Sequence, residues 1–296
     1  INMKEKIIST LVAIIYGLLV YYFFLPALNI QSIGFWFYIT SILTVWIMCN
    51  VIANFILKKK TKYTENLFII YFSIIAVVFF GIIIINIVVS PLFQSKAYAN
   101  RIKIDESGSF TEDVEKVDFS SLPLLDKDSS RKVGDRVMGQ MSELVSQFYV
   151  SNLYTQINFN DEIVRVTPLE YNGFFKYLSN HKNGITGYIK VNSVTGAAEL
   201  VKLEKGMKYM PSAIFNEDLS RKLRFLYPTK IFGSKSFEID NEGNPYWIVP
   251  SLKYSGVQVR EEVEGLIVLD AITGKAKYYD VKDIPTWVDH VYSANL

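Results

Sequence analysis

Three long apolar runs, Ile7–Leu25, Ile33–Leu57 and Leu67–Pro91, fill the first third of the chain, and none contains a charged residue. About 20 apolar residues span the hydrocarbon core of a bilayer, so each run predicts a transmembrane helix. Beyond Phe93 the pattern changes to short apolar segments separated by polar turns, as in a water-soluble α+β region. Gln94–Leu125 lacks periodicity and reads as a connector. A helix is expected to start near Asp128 or Ser129, either of which can cap it, with Val133, Val137, Met141 and Leu144 along one face. Leu144–Val166 is rich in β-formers and is broken by a turn at Asn158–Asp161. Short helices are expected at Glu170–Leu178 and at Glu217–Tyr227, the second stopped by Pro228. A hairpin is expected at Ser236–Pro250, turning at Asn241–Asn244. The end of the chain, with Trp287 and Tyr292, reads as a short helix after Pro285.

Charge orients the apolar runs. Residues 1–93 carry six lysines and two acids, and the lysines precede the first run or sit between the second and third (Lys58, Lys59, Lys60 and Lys62). Positive charge stays cytoplasmic, which places the N-terminus inside and, after three crossings, the tail outside. Aromatic clusters at Tyr21–Phe24 and Phe35–Tyr38 fall where the outer interface would be. The tail holds 25 basic and 27 acidic residues. That balance argues against nucleic acid as a partner, because such affinity comes largely from phosphate neutralisation. It also lacks a basic cluster of the kind that reads anionic lipid. Cys49, the only cysteine, lies within the second run, so the tail has no disulfide and no thiolate metal site. Asn50 and Asn54 share one helix face. Together with Ser41, Thr44 and Asn86 they read as interhelical hydrogen bonds, worth about 0.6–2 kcal/mol each. No Asp, Glu, Lys, Arg or His interrupts the runs, which removes the usual basis for an ion or proton pathway.

An internal repeat is the most specific signal in the tail. Gly187–Gly196, GYIKVNSVTG, recurs as Gly265–Gly274, GLIVLDAITG, and a strand-like segment follows each copy. Each copy predicts a β-hairpin: Asn192 or Asp270 closes an Asx-turn, and Gly196 or Gly274 supplies a positive φ. The order of aliphatic residues, Asn or Asp, two residues and Thr-Gly resembles the closing hairpin of PepSY-type domains. Leu269–Lys275 is the closer match, since the first copy has Asn192 where that family prefers Asp. The layout of N-terminal helices and tandem modules is similar to that of uncharacterised membrane proteins of low-GC Gram-positive bacteria. The resemblance implies modules of one helix packed on a small antiparallel sheet, and an association with restrained peptidases or other envelope proteins.

No catalytic, cofactor or metal residue is assigned. His181 and His290 are the only histidines, and neither sits in a recognised pattern. Ser129–Lys132 and Ser179–Lys182 match Ser-x-x-Lys, but the Ser-Asp-Asn and Lys-Thr-Gly motifs that accompany it are missing. Asp126, Asp128 and Ser129 read as a helix cap. Asp240, Glu242 and Asn244 read as a hairpin turn, because an EF-type loop from Asp240 would need glutamate where Ser251 stands. Tyr246, Trp247, Tyr254, Tyr278, Tyr279 and Trp287 could line a groove, but cross-strand and core packing explains most of them.

The expected architecture is a three-helix transmembrane domain (1–93), a connector (94–127), and an extracytoplasmic α+β region of two PepSY-like units (128–205 and 206–296). The expected role is a binding or scaffolding protein of the cell envelope, in contact with the bilayer and with a protein or peptide at the outer surface. The alternatives are an envelope hydrolase with a site between the two units, signalled by a histidine clustered with carboxylates, and an accessory subunit of a membrane complex. Gly265–Asp270 and Gly187–Asn192 are the first candidates for an open strand edge.

Overall fold

A computed structural model describes residues 3–56, 62–101, 107–114, 116 and 118–292. The lysine cluster 58–60, on which the expected orientation rests, and residues 102–106 of the expected connector lie outside the described residues. The chain forms two compact units. One contains residues 1–103 with 227–231 and 253–262, and the other contains the remainder.

The first unit holds α1 (Met3–Phe24), α2 (Ile33–Ile56), α3 (Lys62–Val88) and α4 (Pro91–Ala99). Segments Lys6–Phe24, Ile33–Ile56 and Asn66–Val88 of the first three helices are long and apolar enough to cross a membrane. At 1.5 Å per residue the shortest, 19 residues, still extends about 28 Å. Of the residues expected to join the helices, Thr44 does so, and the other interhelical hydrogen bonds come from Tyr38 and Trp46. Tyr38 Oη donates to the Gly17 carbonyl at 3.0 Å, Trp46 Nε1 donates to Thr10 Oγ1 at 3.1 Å, and the hydroxyls of Thr44 and Tyr71 hydrogen-bond at 2.5 Å. Asn50 instead donates back to Trp46 O of its own helix. The buried amide of Asn54 has no hydrogen-bond partner among the described residues. The glue reading of the asparagine pair is therefore corrected: a carboxamide spaced at i, i+4 can fall back on its own helix, and here Asn50 does.

Asn86, at the end of α3, has a different task. Its Oδ1 accepts from Val257 N at 2.8 Å, and its Nδ2 donates to Val257 O at 3.2 Å. Gln31, between α1 and α2, accepts from Tyr254 N at its side chain and from Gln258 N at its carbonyl. Leu28 N donates to Pro228 O, and Asn29 Nδ2 to Thr229 O. Backbone groups of 227–231 and 253–262 that no strand would satisfy are thus taken up by amides at the helix ends.

The second unit begins with α5 (Phe110–Asp113), a 3-10 turn at Phe119–Ser121, α6 (Lys127–Gly139) and α7 (Ser142–Val145). The N-cap of α6 is Asp126, whose side chain accepts from Ser129 N, two residues earlier than the sequence pattern placed the start. Then follow β1 (Phe148–Val150), β2 (Thr155–Phe159), β3 (Glu162–Tyr171), α8 (Phe174–Asn180), β4 (Ile185–Asn192) and β5 (Ala198–Met207). After α9 (Leu219–Leu226) come β6 (Ile231–Phe232), β7 (Ser236–Ile239), β8 (Pro245–Ser255), β9 (Arg260–Asp270) and β10 (Ala276–Asp280). The segment expected as a helix at 170–178 is divided between the end of β3 and α8, because Gly173 at φ 91° ends the strand and starts the helix. Among the described residues, no helix follows Pro285. That stretch is irregular, held by Ile284, Trp287, Val288 and Val291 packed on Ile248, Leu266 and Val268.

Both sheets have five strands and the same plan. In the first the order is β1-β3-β4-β5, with β2 also paired to β3; in the second it is β10-β9-β8-β6, with β7 also paired to β8. The recorded strand pairs are antiparallel. The plan extends to single hydrogen bonds. Gly196 N donates to Asn192 O and Gly274 N to Asp270 O, both at 2.9 Å. Val194 N and Thr195 N donate to Asn192 Oδ1 as Ile272 N and Thr273 N do to Asp270 Oδ1. The Ser193 carbonyl accepts from Leu124 N and Leu125 N, and the Ala271 carbonyl accepts from Lys208 N and Tyr209 N. Ser193 N donates to Ile163 O, and Ala271 N to Pro245 O. Tyr188, Phe237 and Trp247 form a ring series with centroids 5.9 and 5.4 Å apart, and each is buried.

Gly196 and Gly274 sit at φ 76° and 70° in corresponding turns, but their surroundings differ. A side chain at Gly196 would meet only the Leu125 methyl, whereas one at Gly274 would enter the Tyr209 ring. Gly196→Ala should cost about 1 kcal/mol through backbone conformation alone, and Gly274→Ala measurably more. Chemical denaturation of the two purified variants tests this, and equal losses would contradict it.

Candidate functional site

Strand order decides which backbone is open to a partner. β4 lies between β3 and β5, and β9 lies between β8 and β10, so neither candidate edge named from the sequence is an edge. A hairpin motif marks its first strand clearly but carries no information on which side the sheet continues. The terminal strands on that side are β5 and β10, of 10 and 5 residues.

β5 is the more distinctive. Its register against β4 runs from Ala198 to Lys202 and resumes only at Met207, with a bulge over 203–206. Gly184 and Gly206 cause it: their backbones approach so closely that a side chain on either would strike the other's segment. Two grooves flank the bulge and share Thr186. One, about 490 Å³, is lined by Gln140, Glu143, Leu144, Leu200 and Lys202 among others. The second, about 700 Å³, is lined by Lys182, Lys205, Lys208 and Tyr209 beside Thr273 of the second turn. Glu199, Lys202, Glu204 and Lys205 are exposed along the strand. The sequence signal for this site is the Gly-x-x-Gly spacing at 184–187 together with Gly206.

The histidines lie elsewhere in the same unit. His181 Nδ1 is 3.7 Å from Glu217, which also accepts from Tyr177 Oη at 2.9 Å. His290 Nδ1 is 3.2 Å from Glu238, a fully buried carboxylate that also accepts from Asp289 N, His290 N and Ser236 Oγ. Asp289 in turn accepts from Asn158 N of β2 at 2.7 Å. The hydrogen bond to Glu238 raises the His290 pKa, and burial raises that of Asp289. A histidine beside carboxylates is the pattern that would favour an enzyme. Neither pair, however, includes a nucleophile bonded to its imidazole: Ser236 Oγ is turned to Glu238, and Ser179 Oγ to the Phe175 carbonyl of its own helix. Around Glu238 the bonds tie the C-terminal segment to β7 and β2.

The remaining sequence candidates take ordinary places. The Asp240 side chain accepts from Glu242 N and Asn244 N, closing a turn with Gly243 at φ 83°. Trp247 is buried and donates to Tyr209 O, Tyr246 packs on Trp287, and Tyr278 Oη donates to Glu264 O. Among the described residues, no group of three or more His, Cys, Asp or Glu side chains is placed to hold a metal ion.

The chain is thus a set of three helices long and apolar enough to cross a membrane, followed by a duplicated helix-plus-antiparallel-sheet region. No protein-family model, curated protein or solved structure matches it.

The His290–Glu238 pair makes stability depend on pH with a definite sign. A histidine whose folded pKa is raised stabilises the fold below its ordinary value of 6.5, and that contribution is lost as pH rises through the raised value. Thermal unfolding should therefore show a midpoint that falls as pH climbs from about 6.5, and His290→Gln should flatten the fall. The raised Asp289 acts in the same direction but in the acid range, above 3.8, so the two are separable. An unchanged slope in His290→Gln would reject the assignment.

Proposed function

We propose that this protein is a membrane-anchored, extracytoplasmic binding and scaffolding module of the cell envelope, built from two PepSY-like units, that captures an extended protein segment along β5. The observation carrying this reading is the terminal strand β5, with a groove on each side of its bulge. A peptide added to such an edge gains affinity from main-chain hydrogen bonds and specificity from the flanking pockets. The charged side chains along β5 discourage indiscriminate pairing, as edge strands require. Support for the outward placement comes from the lysine bias of the sequence. A hydrolase is the second reading, favoured by the His290–Glu238 and His181–Glu217 pairs.

Two experiments test these readings. Leu203 lies in the bulge, where β4 does not pair with it, so Leu203→Pro blocks the outer edge at little cost to the sheet. Partner capture by the full-length chain should be lost in Leu203→Pro and kept in His181→Ala combined with His290→Ala. Loss in the histidine variant alone, with circular dichroism unchanged, would put the hydrolase first. For orientation, Lys60→Cys should resist an impermeant thiol reagent in intact cells while Glu242→Cys, at an exposed turn, reacts. The reverse labelling pattern would reject the extracytoplasmic placement.

A further inference from the structure

Of the two grooves at β5, the larger has an unusual charge. Lys182, Lys205 and Lys208 line it against one acid, Glu204. This is not the general composition of the tail, in which acids slightly outnumber bases. Nor are these lysines committed elsewhere. Lys190 is paired with Glu199 at 2.9 Å and Lys253 with Glu262 at 3.3 Å, whereas Lys182, Lys205 and Lys208 form no ion pair among the described residues. A fourth cation, Lys222, lies 5.0 Å from the ring of Tyr209, a groove residue. Cations gathered in a concavity raise the local concentration of anions, because its low-dielectric walls focus the field.

We propose, resting on the reading of β5 as a capture edge, that the ligand is an extended acidic peptide whose carboxylates enter this groove. A free anion would use only the lysines. A peptide also uses the backbone of the edge strand, and its side chains fall opposite those of β5. Lys205 stands on the strand itself, within cross-strand reach of Asp or Glu on an added strand. Lys182 and Lys208 receive carboxylates farther along. Thr186, exposed and common to both grooves, marks where the peptide passes from the lysine-lined groove to the more apolar one beside Leu200. The sequence expected of the peptide is acidic at one end and aliphatic at the other.

The test uses the full-length chain in detergent and three labelled probes read by fluorescence anisotropy. The probes are a Glu/Val peptide of about ten residues, near the length of a long strand, the same peptide with Gln for Glu, and linear polyphosphate. The Glu/Val peptide should bind at least about tenfold more tightly than the Gln/Val peptide, with an advantage that shrinks as salt rises. Lys182→Glu combined with Lys208→Glu should abolish that preference. These two lysines lie outside the bulge, so the Gln/Val affinity should stay unchanged and report that the edge is intact. Equal binding of both peptides, sensitive to Leu203→Pro, would overturn the acidic specificity and leave the capture edge standing. Absence of binding by either peptide to folded protein would overturn both. Binding of polyphosphate in preference to the Glu/Val peptide would overturn the peptide assignment in favour of a phosphate polymer.

Discussion

One backbone carbonyl in each half of the soluble region organises everything around it. Ser193 O and Ala271 O each accept two amide protons from the segment that enters the module, Leu124–Leu125 in one and Lys208–Tyr209 in the other. A buried carbonyl must be satisfied, and doing so with an incoming chain fixes where that chain crosses the hairpin. The amide of the same residue binds Ile163 O or Pro245 O, which anchors the start of the preceding, paired strand, β3 or β8. Strand, turn and entering segment are thus locked by groups that every residue possesses, while the side chain of Asn192 or Asp270 shapes the turn. The two copies differ where their chemistry differs. Asp270 gains a bond from Thr273 Oγ1 at 2.6 Å, and Asn192 spends its amide on Glu162 at 3.2 Å.

The modules diverge at one equivalent connection. Between β3 and β4 the chain makes α8, whereas between β8 and β9 the strands continue into a long hairpin whose tip groups with the membrane-type helices. A hairpin tip has backbone groups that no strand satisfies, and near a bilayer water is a poor substitute. Asn86 meets both groups of Val257, and Gln31 meets Tyr254 and Gln258. A carboxamide suits this because it offers donor and acceptor on one rigid plane. Polar residues that might have joined helix to helix are used instead to hold a piece of sheet.

The difference between local and long-range information explains what could be read from the sequence. Apolar length announced the three helices, and the repeated Asx-turn with its glycine announced the β4–β5 and β9–β10 hairpins, because both signals are contained within a few residues. The hairpin turning at Asn241–Asn244 was legible for the same reason. Sheet order was not, since nothing within Gly187–Asn192 records that β3 lies on its other side. Glu238 and His290 are 52 positions apart, and their pairing depends on the C-terminal segment packing Trp287 and Val288 onto β8 and β9. The lysine groove was invisible for a similar reason: Lys182 follows α8 while Lys205 and Lys208 bracket the end of β5. Only the close passage of Gly184 past Gly206 brings them together.

On the proposed reading, charge on β5 serves two ends that usually conflict. An edge strand must repel casual partners, and exposed Lys and Glu do so by imposing a desolvation cost on any strand that adds without matching them. The same cost becomes selectivity when a strand does match, since discrimination depends on what is rejected as much as on what is attracted. Stability does not account for the pattern: the solvent-accessible Lys190–Glu199 pair at one end, with Lys190 half-buried and Glu199 exposed, is of a kind worth about 0–1 kcal/mol. Beyond it Lys202, Glu204 and Lys205 enter no ion pair among the described residues. If these charges served only to blunt the edge, an open surface would suffice, and no groove would be needed beside them. The bulge places them at the rim of two concavities, and its cost is the loss of β4 pairing over 203–206. The proposed selective capture would account for both the charge and the interruption of the ladder, whereas edge protection accounts only for the first.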